Sequence, residues 1–164
     1  MKCVCSQQKE IKMKRKIIIF LIFVFVSNVS FAHDVQTDKI NINHPHIKFM
    51  DNSNMAYGYM KIVNKSNEVD RLTGIEVSFA DAELFDAHMH DGNSPMKKID
   101  YIEIPPQKVI TLELDSYHIM FSNMNIEVVE DMMLEATLSF EKSGDVNIEF
   151  ISEKDKMHTI VIKL

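Results

Sequence analysis

From residue 39 onward, apolar residues either alternate with polar ones or gather in short runs broken by Asn, Asp, Ser, Gly and Pro; helical stretches are scarce. Alternation sends successive side chains to opposite faces of an extended chain, so the pattern is that of strands with one buried face. It predicts strands over 39–42, 57–64, 71–79, 83–90, 99–104, 109–114, 118–122, 133–140, 146–152 and 159–162. Between them, Asn64-Lys65-Ser66-Asn67, Asp91-Gly92-Asn93-Ser94-Pro95, Pro105-Pro106 and Ser143-Gly144-Asp145 supply turn residues that accept positive φ or preset it near −65°. Many short strands at this spacing predict an all-β sandwich or barrel. No repeat, low-complexity tract or linker points to a second domain.

The N-terminal segment follows a different pattern. Residues 1–16 are basic, 17–26 are almost wholly aliphatic and aromatic, and Ser30-Phe31-Ala32 follows. A charged region, an apolar run and small residues at the minus-three and minus-one positions make up a signal peptide, here 1–32 with cleavage after Ala32. Met13 heads a more compact version and is an alternative start. The apolar run falls short of the roughly 18 to 20 residues that span a bilayer, so no stable membrane insertion is expected after cleavage. The expected organisation is then an N-terminal extension with the first strand over 33–54, the main β domain over 55–152 and a C-terminal extension over 153–164.

Removing the leader changes composition and charge. Both cysteines, Cys3 and Cys5, lie within it, so the exported chain has no thiol and no disulfide framework. Its core must hold by packing, which a chain of about 130 residues can manage as one domain. The leader carries six Lys/Arg and one Glu, so the formal charge moves from −6 to −11. Phosphate binding needs clustered Lys/Arg, and nucleic acid is therefore excluded as a partner. No Ser-His-Asp order, paired-carboxylate motif or phosphate loop is present, which argues against an enzyme.

Candidate chemistry lies between His88 and Met120. His118 and Met120 are two residues apart on a predicted strand, which puts an imidazole and a thioether on one face. Met96 and the run His88-Met89-His90 lie upstream, and the stretch 96–120 reads as a β-hairpin that would bring both ends together. Imidazole suits several metals, but neutral thioether sulfur favours Cu(I), and no cysteine competes for the role. Met50, Met55, Met60, Met132 and Met133 read instead as core filler, the commoner use of a flexible thioether.

Twenty-one residues separate Met96 from His118, and His118-x-Met120 follows. This spacing resembles the periplasmic copper chaperones of the PCu(A)C type, whose motif is a His, ten residues, a Met, twenty-one residues, then His-x-Met. The likeness extends over 56–150 and includes Ala56-Tyr57-Gly58-Tyr59, Asp70-Arg71-Leu72, Ala82-Glu83-Leu84, Tyr117 and Leu138-Ser139-Phe140-Glu141. One position departs from it: the family's first His falls on Phe85. A strand distortion around 87–91 is expected to bring His88 or His90 into that role, with His88 the first choice. The resemblance implies a cupredoxin-like Greek-key fold and a Cu(I) site drawn from His88, His90, Met96, His118 and Met120. It also implies copper transfer by ligand exchange in the periplasm, to the copper subunit of cytochrome c oxidase or a thiol-bearing assembly factor.

Two other readings stand beside this one. In the first, the chain is a metal-free β-sandwich module of the envelope and Phe85 marks a degenerate site. In the second, cleavage makes His33 an N-terminal Cu(II) chelate, as in some copper oxidases. His44, His46 and His158 either sit in solvent, the favoured reading, or form a second weaker site. Cu(I) affinity separates these cases.

Overall fold

Strand ladders organise the described part of this chain. A computed structural model describes residues 34–49, 53–88 and 96–154. Among them are eleven strands and no helix: β1 (Val35–Gln36), β2 (Ile40–Phe49), β3 (Met55–Asn64), β4 (Asp70–Glu76), β5 (Asp81–Asp86), β6 (Lys97–Ile99), β7 (Ile102–Ile104), β8 (Val109–Leu112), β9 (Tyr117–Ser122), β10 (Met133–Phe140) and β11 (Gly144–Lys154). They run in the order β6-β5-β9-β8-β3-β2-β11-β10-β4-β7, with β1 on β2 and a second pairing of β9 with β3. The β2–β11 and β8–β9 pairs are parallel and the remainder antiparallel.

The sheet curls back on itself. The buried Asn64 at the end of β3 donates from its side-chain amide to Ile104 O of β7 at 3.0 Å and to Glu68 O at 2.8 Å, while its backbone N–H bonds Lys108 O at 2.9 Å. Its Oδ1 accepts from the backbone N–H and hydroxyl of Ser66, so every polar atom of the side chain is used. The edge strand β7 is thereby tied to the middle of the sheet. The inner face holds one core, in which Ile40, Ile62, Leu72, Ile119, Phe121 and Phe150 are fully buried. This is the expected all-β sandwich or barrel.

Several element boundaries differ from the pattern, each for a local reason. Strand 133–140 is found as expected, but the first strand runs on through His44-Pro45 to Phe49. A register shift between Asn43 and His46 gives β2 one extra residue against β3, with His44 at φ 52°. That bulge resets the parity, so that Ile40 and Ile42 before it and Ile47 and Phe49 after it all face the core. The expected strand 99–104 is two strands: β6 pairs with β5, whereas β7 pairs with β4. The stretch 96–120 is accordingly not a hairpin, because β5 lies between β6 and β9. Of the methionines read as core, Met60 is buried and Met132 packs against the core, but Met55 and Met133 are exposed. Each precedes a buried residue, Ala56 or Leu134, and so faces outward. Met50 and the strand expected over 159–162 lie outside the described residues.

Candidate metal centre

The β5–β9 ladder sets the geometry. Its rungs pair Glu83 with Met120, Leu84 with Ile119, Phe85 with His118 and Asp86 with Tyr117. Since Leu84 and Ile119 face the core, the rungs on either side place Phe85, His118, Glu83 and Met120 on the opposite face. Tyr57 of β3 pairs with Met120 from the other side. Gly58, next along β3, permits this close approach: a Cβ there would lie 2.8 Å from the Phe121 ring and 3.1 Å from Ile119 Cβ.

Although it lies away from the core, His118 is completely buried. Phe85 stacks on its ring at 6.0 Å between centroids and 16° between planes, and Tyr57 meets it edge-on at 5.9 Å and 65°. Its Nδ1 lies 3.3 Å from Ser116 O, which can only accept, so this contact selects the tautomer protonated at Nδ1. Nε2 is buried and has no hydrogen-bond partner. Burial lowers the pKa of this imidazole, opposed by the Ser116 carbonyl and the Asp86 charge, and so favours the neutral ring. A neutral imidazole with one nitrogen held by a carbonyl and an unspent lone pair on the other is the usual state of a metal-ligating histidine. A buried acceptor left without a partner costs about 1–3 kcal/mol.

Of the other sequence candidates, Met96 and His88 lie near the Asp86–Tyr117 rung that follows the Phe85–His118 pair. Met96 is exposed and immediately precedes β6, where Lys97 pairs with Asp86 and Lys98 with Phe85. Strand β5 stops at Asp86, four residues short of the expected 83–90, and Ala87 N–H bonds Ser116 O at 3.0 Å. His88 then folds onto Asp86: its backbone N–H donates to Asp86 Oδ1 at 2.9 Å and its Nδ1 is 2.6 Å from the same oxygen. The His88 ring also packs edge-on against Tyr117 at 4.7 Å. His90 lies outside the described residues. Phe85 occupies the position directly across from His118 and leaves no second imidazole there.

Among the described residues no three His, Cys, Asp or Glu side chains cluster as a metal site would require. His44 and His46 lie apart from it on β2. The His46 ring packs on Tyr59 at 5.4 Å with Nδ1 2.9 Å from His44 O, and the His44 side chain is 80% exposed beside Asp34. His33 and His158 are outside the described residues. Sequence reasoning did not single out Tyr57 or Asp86. The available signal for Tyr57 was its place in the run Ala56-Tyr57-Gly58-Tyr59, and for Asp86 its spacing two residues before His88.

With this geometry in view, comparison with known proteins is decisive at the family level. The profile of the family described as "Putative lipoprotein LpqE-like" matches residues 40–151. The chain belongs to the LpqE-like family. Among solved structures, this LpqE-like chain is similar to the copper-bound PCuAC domain from PmoF2, at 26% identity and a TM-score of 0.65, over 75% of this chain and 99% of that one. The apo PmoF2 domain matches at 27% identity and 0.65, over 74% and 95%. The Cu(I) form of DR1885 from Deinococcus radiodurans matches at 19% identity and 0.60, over 77% and 85%. The fold is thus that of the PCuAC domains, the cupredoxin-like sandwich the resemblance implied. No curated protein matches significantly.

Proposed function

We propose that this LpqE-like protein is an exported copper(I) carrier, with His118, Met120 and Met96 as the core of its site and His88 or His90 completing it. The observation that carries this reading is the buried, unpartnered Nε2 of His118, on a ring that shares a strand face with the Met120 thioether. Copper bound in the similar PmoF2 domain supports the choice of metal. Imidazole and thioether together suit Cu(I), and the lack of thiolate sets the site apart from a blue-copper electron-transfer centre. The role is carriage rather than catalysis. Thioethers stay unprotonated near neutral pH, and the exposed Met96 is a ligand that a partner can displace first.

In this reading residues 1–32 are a signal peptide, 33–54, 55–152 and 153–164 follow as extension, copper domain and extension, and the mature protein works in the periplasm. The recipient is the copper subunit of cytochrome c oxidase or a thiol-bearing assembly factor. Anaerobic Cu(I) titration with X-ray absorption on the mature protein tests the proposal, and His118→Ala/Met120→Ala should lose tight binding while keeping its fold. A double variant that titrates like the parent would remove the site from these residues and favour a metal-free envelope module.

A further inference from the structure

We propose that Phe85 is a specificity-determining residue: together with Tyr57 it walls the His118 Nε2 off from water, so that the site favours Cu(I) over Cu(II). This rests on the carrier reading above. The two rings approach the imidazole from the strands on either side of β9. Phe85 of β5 is its direct cross-strand partner and stacks on it at 6.0 Å and 16°, while Tyr57 of β3, the partner of Met120, meets it edge-on at 5.9 Å and 65°. Phe85 and Tyr57 are themselves only partly buried, whereas His118 between them is 0% exposed. A place on the sheet face away from the core would ordinarily leave a histidine in solvent, so these flanking rings account for its burial.

The wall acts through access and through charge. Met120 shares the face of His118 but is partly exposed, whereas the His118 Nε2 is buried and unpartnered. An arriving ion therefore meets thioether sulfur before it meets nitrogen, an order that suits the softer Cu(I). Imidazole and thioether are both neutral, so the ion keeps its full charge in the site. Taking a charge out of water costs more for a doubly than for a singly charged ion, and an apolar shell around a metal sets its solvent access and redox potential in this way. Glu83, a carboxylate on the same face, could offset that charge, but it is already engaged by Lys98, the β6 partner of Phe85. Where the family resemblance expects a nitrogen donor, this chain thus places an apolar ring that excludes water from the remaining one.

The test joins a metal-free readout to a ratio of affinities. Diethyl pyrocarbonate acylates neutral imidazole nitrogen, so in the apo protein His118 should react far more slowly than His44, whose side chain is 80% exposed. Phe85→Ala should bring the His118 rate toward that of His44. The same variant should lower the ratio of Cu(I) to Cu(II) affinity about 10- to 100-fold, the usual reach of groups just outside a metal's ligands. Each tenfold change in this ratio is a fall of ~59 mV in the copper reduction potential. All ratios are measured with His33→Ala in place, so that an N-terminal imidazole does not contribute. Phe85→Leu keeps an apolar wall and should hold both readouts near the parent's. Tyr57→Ala opens the same nitrogen from the β3 side and should act like Phe85→Ala, which keeps the test decisive if Phe85→Ala does not fold. His118 acylated as fast as His44 in the parent, an affinity ratio unmoved in the opened variants, or Phe85→Leu as unselective as Phe85→Ala each overturn the assignment. If any of these occurs while His118→Ala still loses tight Cu(I) binding, the carrier reading stands without the wall. If His118→Ala binds Cu(I) like the parent, both readings fall.

Discussion

Phe85 and His118 stand directly opposite each other across β5 and β9, their rings stacked at 6.0 Å and 16°. A histidine at 85 would therefore share a strand face with His118, on the adjacent strand. Cross-strand partners on one face have Cβ atoms about 4.5–5.5 Å apart, within reach of a common metal ion.

Phe85→His should accordingly restore the missing imidazole. X-ray absorption of the Cu(I) form should gain a nitrogen scatterer, and Cu(I) affinity should rise on the order of tenfold, ~1.4 kcal/mol. The apo protein should lose about 1 kcal/mol of stability, because an apolar ring packed on His118 is exchanged for a polar one. An unchanged nitrogen count would mean that the 85–118 rung does not face the metal.

How far the site was legible follows from these residues. The His118-x-Met120 pair was readable because both the strand period and the family spacing are local properties. So was much of the strand content, since alternation survives in long ladders such as β10 and β11. The route from Met96 to His118 was not readable. Which strands pair depends on contacts distant in sequence, and nothing within 96–120 says that β5 inserts between β6 and β9. The burial of His118 was hidden for the same reason, as it comes from Tyr57 and Phe85 on two other strands. The continuation of β2 was masked by His44-Pro45, where a bulge breaks the parity that alternation relies on.

Oxidation state and pH give a second prediction. Burial lowers the His118 pKa, so this ring stays neutral to a lower pH than an ordinary histidine, and thioethers do not protonate at all. Cu(I) binding through His118 and Met120 should therefore persist as pH falls from 7 to about 6, near the ordinary histidine value of about 6.5. Cu(II) should bind far more weakly, since thioethers are poor ligands for it. Cu(II) binding that equals Cu(I) and disappears on changing His33 would shift the function to an N-terminal chelate.

Gly58→Ala gives a third. The added methyl would sit 2.8 Å from a Phe121 ring carbon and 3.1 Å from Ile119 Cβ, and both neighbours are fully buried. Overpacking of this kind costs roughly 1–3 kcal/mol, read as a lower urea midpoint at unchanged slope. Because the strain falls on β9 between His118 and Met120, Cu(I) affinity should drop as well. A fully stable variant with normal affinity would show that β3 and β9 can move apart at no cost.

Asp70 supplies the last prediction and concerns the frame rather than the site. It is buried at the start of β4, where Oδ1 accepts the backbone N–H groups of Arg71 at 2.8 Å and Lys142 at 2.9 Å, and Oδ2 accepts the Ser143 hydroxyl. The carboxylate thus ties β4 to the turn joining β10 and β11. Burial alone would push its pKa up, but the Ser143 hydroxyl and the backbone N–H groups outweigh this and hold it below the ordinary aspartate value. A depressed folded pKa means that the ionised form stabilises the fold. That contribution is complete above the unfolded value of about 3.9 and is lost as pH falls through the lower folded value. Asp70→Asn should cost roughly 1.5–3 kcal/mol at pH 7, the usual worth of hydrogen bonds to a charged group, and Asp70→Ala at least as much. Urea unfolding at pH 7 and at pH 3 or below checks both the size and the sign. The gap between parent and Asp70→Asn should narrow at low pH, where the parent carboxylate also becomes neutral. A gap of equal size at both pH values would assign the loss to packing and not to the charge.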